Sequence, residues 1–167
     1  MFKLDDRDIR ILAILQREGR ISKSALAKRL NLSNTPCWQR LQRMEKAGII
    51  TGYGAHVALE KLTEHIVVFV VVEIESHRAE DFDLFESAIR AEPEIAACWA
   101  LSGGFDYVLQ VVTRNINTYQ RLIDRLLDRR IGLVRYFTYV VTKEVKPLTG
   151  PALESLLGSD PASNGSG

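Results

Sequence analysis

The chain has 167 residues, enough for one medium domain or two small ones, and its 46% hydrophobic and 26% charged content is that of a soluble globular protein. A net charge of +1 conceals an asymmetry: residues 1–60 hold 11 Lys and Arg against 6 Asp and Glu (+5), while residues 61–167 hold 11 against 15 (−4). Cys37 and Cys98 stand far apart without metal-ligand company, the longest apolar run (Ile66–Val72) is too short for a bilayer, and Asp5 and Asp6 fall where a signal peptide would be apolar. A disulfide framework, a zinc site and a membrane span are thereby argued against, and a cytoplasmic protein is expected.

The first helix is predicted to start at Asp5, whose side chain can cap free N–H groups, with Asp8 suiting the positive helix end. Ile9, Leu12, Ala13 and Leu15 supply its apolar face, and Gly19 ends it. Ser22 can cap a second helix with Leu26, Ala27 and Leu30 inward; Asn31 then takes a left-handed position. Ser33 is the expected cap of a third helix, with Pro36 in its first turn, where no internal N–H bond is lost. Cys37, Leu41 and Met44, at i, i+4 and i+7, form its buried face, and Gly48 closes it. Ile49–Tyr53 reads as a strand or wing.

A helix-turn-helix domain over residues 1–53 therefore precedes a linker strand over 54–63. Residues 64–146 alternate strand and helix: a β-branched strand at Ile66–Ile74, expected to be buried on both faces, and a helix at Glu80–Ala91. Strands at Ile95–Leu101 and Tyr107–Val112 follow, then a helix at Asn117–Asp128 and a last strand at Leu133–Val141. The order βαββαβ is ferredoxin-like, an antiparallel sheet with both helices on one face, and it makes the fold class α+β. The other sheet face needs cover, for which a second subunit is the natural source. Residues 147–167, rich in Pro, Gly, Ser and Asn, read as a flexible tail.

From Gly19 to Met44 there are six basic residues (Arg20, Lys23, Lys28, Arg29, Arg40 and Arg43) and no acid. A helix pair so charged suits phosphates, and side chains at the N-terminal end of the third helix are those that reach base edges in a major groove. Asn34, Thr35, Trp38 and Gln39 are placed to do so, since Asn and Gln pair adenine in a bidentate way. Lys23, Arg40 and Arg43, with Lys28 and Arg29, would take phosphates. A solvated basic hairpin that docks a protein is the bland alternative. Trp38 has two readings of equal weight, a contact with sugar or thymine methyl and a lid folded over the second helix. Ser102-Gly103-Gly104-Phe105-Asp106-Tyr107 is the other sharp feature: the glycines permit positive φ and close ligand approach, and Asp106 can hold an ammonium group. A plain β-turn with Asp106 as a turn residue accounts for the same letters.

Taken together, these segments resemble the Lrp/AsnC family of transcription regulators. The matching residues are Leu4–Leu12, Gly19–Ser22, Leu32–Leu41 with Ser33 at its head, Gly48–Tyr53, Ser102–Tyr107 and Thr138–Val141. The resemblance covers about residues 4–146. It implies a DNA-binding helix-turn-helix and an effector-binding, oligomerising domain that forms dimers and then tetramers or octamers. It also implies a small amino acid or related metabolite as effector, with no other cofactor. Carried over by position, the effector pocket would lie between dimers around Ala100, Gly103, Gly104, Asp106, Ile116, Thr138, Tyr139 and Val140. Two departures stand out. Ala25 replaces the Glu that would complete a capping box on the second helix, and Trp38 replaces smaller residues.

Three functional expectations compete. A ligand-responsive regulator would bind double-stranded DNA as a dimer at half-sites one helical turn apart. Siroheme decarboxylases resemble the same fold, and such an enzyme would need His or Arg converging on a tetrapyrrole; His56, His65 and His77 are the histidines available. The third is a metabolite-sensing module without a DNA role. The intact basic helix-turn-helix favours the first and a protein that is not an enzyme.

Overall fold

The computed structural model describes residues 2–147 and 150–157, in two compact units: residues 1–56 with 146–167, and residues 57–145. In the first unit three helices, α1 (Asp6–Arg17), α2 (Lys23–Arg29) and α3 (Asn34–Lys46), surround a core of Ile11, Leu12, Leu26, Ala27, Cys37, Leu41 and Met44. Asp5 caps α1 by accepting from the N–H groups of Arg7 and Asp8, and the Asp8 carboxylate closes a capping box on the Asp5 N–H. Ser22 caps α2 through the Ala25 N–H. Asn31 (φ 51°) makes the left-handed turn into α3, and Gly48 (φ 69°) leaves it.

Three local expectations are corrected here. The buried face of α1 is Asp8, Ile11 and Leu12, with Ile9 only half-buried; a charged residue occupies a core position, so a search for apolar spacing misses the true stripe. Ile49–Tyr53 and the expected linker strand at 54–63 form no ladder among the described residues. No neighbouring strand is there to pair them, and the stretch ends in a 3-10 turn at Leu59–Lys61. Part of the expected tail is ordered instead: Leu153–Leu157 forms the short helix α6, with Leu153 packed on the first unit's core, while residues 158–167 lie outside the described residues.

The second unit is one antiparallel sheet of β1 (Ile66–Ile74), β2 (Ile95–Ala100), β3 (Tyr107–Thr113) and β4 (Leu133–Val140), in the order β2-β3-β1-β4. Helices α4 (Ala79–Arg90) and α5 (Ile116–Asp128) cover one face, burying Phe85, Ile89, Leu122, Ile123 and Leu126 on Val68, Val70, Val72, Leu109 and Val111. Strand β1 is therefore buried on one face only. Its alternate residues Val67, Phe69 and Val71 sit on the other face with Val108, Trp99, Phe137 and Tyr139, as the strand registers require. Trp99, Phe137 and Tyr139 are 46%, 40% and 56% exposed, which makes that face an uncovered apolar and aromatic surface.

Candidate nucleic-acid interface and effector site

The period of α3 places Cys37, Leu41 and Met44 in the core and leaves Asn34, Thr35 and Gln39 exposed around its first turns. Ser33 occupies the N-cap position in an extended conformation, yet its hydroxyl makes no capping bond. Pro36, at the third helical position, removes one of the two N–H groups a cap normally finds, and the other, on Thr35, is not used by the hydroxyl. The Ser33 hydroxyl and the first N–H groups of α3 are thus left for an outside acceptor such as a phosphate oxygen. Trp38 is half-buried on the core, and the Lys23 ammonium lies 3.1 Å above its ring centroid. That cation–π contact joins the start of α2 to α3 and ties the charge to the indole.

The arginines are elsewhere than the sequence reading put them. Arg40 Nη1 lies 2.6 Å from Asp5 Oδ2 and 2.9 Å from Asp8 Oδ1, and Arg43 Nη2 lies 2.5 Å from Asp8 Oδ2. Asp8 is fully buried, so both arginines neutralise a carboxylate that water cannot reach. Arg43 also stacks at 4.9 Å on Phe2, and Arg29 pairs with Glu18. The Arg40 and Arg43 side chains therefore brace α3 against α1, an occupation the acid-free run did not announce. The 26-residue acid-free run is real in sequence, but Asp5, Asp8 and Glu18 close on it in space from just outside. Of the six bases, Arg20 and Lys28 have no ion-pair or aromatic partner among the described residues.

In the second unit Gly103 takes a positive φ of 155°, Gly104 does not, and there is open space beside both. Asp106 has a structural occupation. Its Oδ2 accepts from the Ile74 N–H at 2.8 Å and its Oδ1 lies 2.9 Å from His77 Nε2. The ladder slips between Glu73 and Ile74, and the carboxylate takes the N–H at that irregularity. Asp106 therefore caps the sheet at this irregularity.

The other effector residues divide between two places. Ala100, Gly103 and Gly104 lie at the β2–β3 end of the sheet; Thr138, Tyr139 and Val140 lie on β4, the opposite edge strand, paired with Val70, Phe69 and Val68. Three strand spacings separate Ala100 from Thr138, about 14 Å. Ile116 opens α5 and is exposed, and Tyr119 three residues later shares a hydrogen bond with the Thr138 hydroxyl. One chain alone does not gather the set. A cavity of about 320 Å³ that no sequence signal marked lies between α4 and β2, lined by Glu86, Arg90, Cys98, Ala100 and Tyr107 among others. Tyr107 donates to Glu86 there at 3.1 Å. Burial pushes the Cys98 thiol up to about 11, so it is a neutral wall.

His65 and His77 do not converge. They flank the two ends of the nine-residue strand β1, about 30 Å of extended chain apart, and His56 belongs to the other unit. Among the described residues no group of His, Cys, Asp or Glu is arranged to hold a metal, and no helix is long and apolar enough to cross a membrane.

A basic helix-turn-helix joined to a ferredoxin-like sheet with one open face defines a DNA-binding regulator with a second, sensing domain. Residues 4–51 match the winged helix-turn-helix DNA-binding family, and residues 67–151 match the Lrp/AsnC ligand binding domain. The transcriptional regulatory protein DoeX of Halomonas elongata is 49% identical over 144 residues, 86% of this chain and 91% of that protein. The leucine-responsive regulatory protein of Escherichia coli K12 is 38% identical over 143 residues, 86% of this chain and 87% of its own. Among solved structures, a Neisseria meningitidis transcriptional regulator in complex with L-Met superposes with a TM-score of 0.85 at 33% identity, covering 93% of this chain and all of that one. An AsnC family regulator of Agrobacterium tumefaciens gives 0.86 at 31%, covering 92% and 100%. The chain belongs to the Lrp/AsnC family of DNA-binding transcriptional regulators.

Proposed function

We propose that this chain is a cytoplasmic, non-enzymatic regulator that reads an operator with the tip of α3 and responds to an amino acid or related metabolite by changing its assembly. The observation that carries the operator reading is the exposed set Asn34, Thr35 and Gln39 at a helix N-terminus whose Ser33 cap is unspent. Asn34 and Gln39 read base edges, Thr35 and the rim of Trp38 touch apolar groups, and Ser33 holds a phosphate. Lys23 reaches phosphate only by leaving the indole, while Arg20 and Lys28 supply charge directly.

Assembly follows from the open sheet face. Two copies that bury Trp99, Phe137 and Tyr139 against each other remove the apolar surface and pair two recognition helices for half-sites about one helical turn apart. The effector residues that one chain keeps apart become a pocket where chains meet, and the domain's ligand is an amino acid or derivative. The L-Met complex of the Neisseria relative and the name of the Escherichia coli relative support that class. Ligand then acts through its different affinity for alternative assemblies.

The test is operator binding by fluorescence anisotropy across a salt series, beside sedimentation with and without saturating amino acids. Asn34→Ala and Gln39→Ala should abolish discrimination between operator and scrambled DNA while leaving the salt slope intact. An unchanged assembly at saturating ligand, with operator affinity altered, defeats the assembly mechanism.

A further inference from the structure

The core of the first unit is completed from the far end of the chain. A helix of five residues does not hold in water on its own, since nucleation is unfavourable and few bonds repay it, so α6 is ordered by what it rests on. Leu153 packs on the apolar cluster with Leu4, Leu15, Ile49 and Ile50. Leu153 and Leu157 form one wall of a groove of about 390 Å³ whose other walls are α1 and Ile49–Gly54. Entry to the groove is shaped as well: Gly150 turns at φ 82°, and a Cβ there would stand 3.0 Å from Gln16 Nε2. Leu153 is half-buried while Leu156 and Leu157 are 66% and 47% exposed, so the short helix rests on the unit through its first residue.

We propose that residues 150–157 form an intramolecular clasp that docks beside this groove on the apolar cluster of the DNA-binding unit, with Leu153 as its anchor. The clasp covers Ile49 and Ile50, which no strand partner secures, and so fixes the segment that follows the recognition helix. Without it, Leu12, Leu15 and Ile50 face water and that segment loosens.

Hydrogen exchange on the full chain tests this without DNA. Leu153→Lys should speed exchange in residues 12–18 and 49–54 at least tenfold, Leu153→Ala by a smaller factor that keeps the chain folded, and Leu156→Lys not at all. Amides of β1 and β3 should be unchanged throughout. Unaltered protection in Leu153→Lys and Leu153→Ala, or an equal loss in Leu156→Lys, overturns the clasp. Protection of those residues that falls on dilution of the parent chain also overturns it, because the segment would then come from a second copy. Operator affinity of Leu153→Ala, expected to drop several-fold, rests on the DNA-binding reading; if the parent chain binds no operator that reading fails and the exchange result stands.

Discussion

The two units of this chain are held together by different chemistry. The second unit is a sheet-and-helix sandwich with an aliphatic and aromatic core, and its buried carboxylate, Glu92, stands outside that core cluster in the loop before β2, paired with Arg125 and Arg129 of the α5 end. The first has a smaller core beside which a fully buried carboxylate, Asp8 of α1, is held by Arg40 and Arg43 of α3. Apolar burial tolerates small errors of orientation; a charge held by two guanidinium groups does not. The orientation of α3 on α1 is therefore fixed by directional bonds to a buried carboxylate. By contrast, α4 and α5 sit on the sheet by apolar area, and the Glu92 pairs only tie the end of α5 to the loop before β2.

The sharpest way to break this contrast is Asp8→Ala. It leaves Arg40 and Arg43 without their shared partner and should destabilise the first unit by about 3 kcal/mol, read as loss of its transition in thermal unfolding, with little change in the second. In the second unit Leu122→Ala should cost about 3 kcal/mol by cavity formation, and chemical denaturation should show the loss in that unit's transition alone. A smaller effect sharpens the functional side. Arg20→Ala plus Lys28→Ala should lower the magnitude of the salt slope of DNA binding by about 2, whereas Arg40→Ala should weaken folding more than it alters that slope.

The smallest expected effect is on acid sensitivity. The Asp8 N–H bonded to Asp5, with Arg40 beside it, holds the Asp5 carboxyl below the usual range, and Arg29 does the same for Glu18. A group depressed in the folded state contributes stability above its unfolded pKa and loses it as pH falls through the folded value. The first unit should therefore weaken before the second as pH drops below about 4, by circular dichroism followed with intrinsic fluorescence of Trp38 and Trp99. Equal acid loss in both units would remove the distinction.

The recognition helix was legible in sequence because its signals are local. Pro36 marks a first turn, Cys37, Leu41 and Met44 mark a face, and Asn31 and Gly48 mark the turns on either side. The βαββαβ order was legible for the same reason, each element carrying its own period. What the local signals did not carry was the long-range pairing of unlike residues. Arg40 and Arg43 look like a DNA-facing stripe until Asp8, more than thirty positions away, is brought beneath them. Asp106 looks like a ligand for an amine until the slipped ladder at Ile74 claims it. Leu153 sits in a stretch whose composition reads as disorder, and only the groove on α1 gives it a place.

Sequence by itself determined the number and kind of elements, the helix boundaries set by Asp5, Ser22, Asn31 and Gly48, and the outward row at the tip of α3. Those are properties of neighbouring residues, whose steric and hydrogen-bonding preferences act over one or two turns. Tertiary structure alone decided which charges are spent inside the molecule, which sheet face stays bare, and where the C-terminal helix rests. Such outcomes depend on the distance between groups remote in the chain, and only the packed core sets that distance.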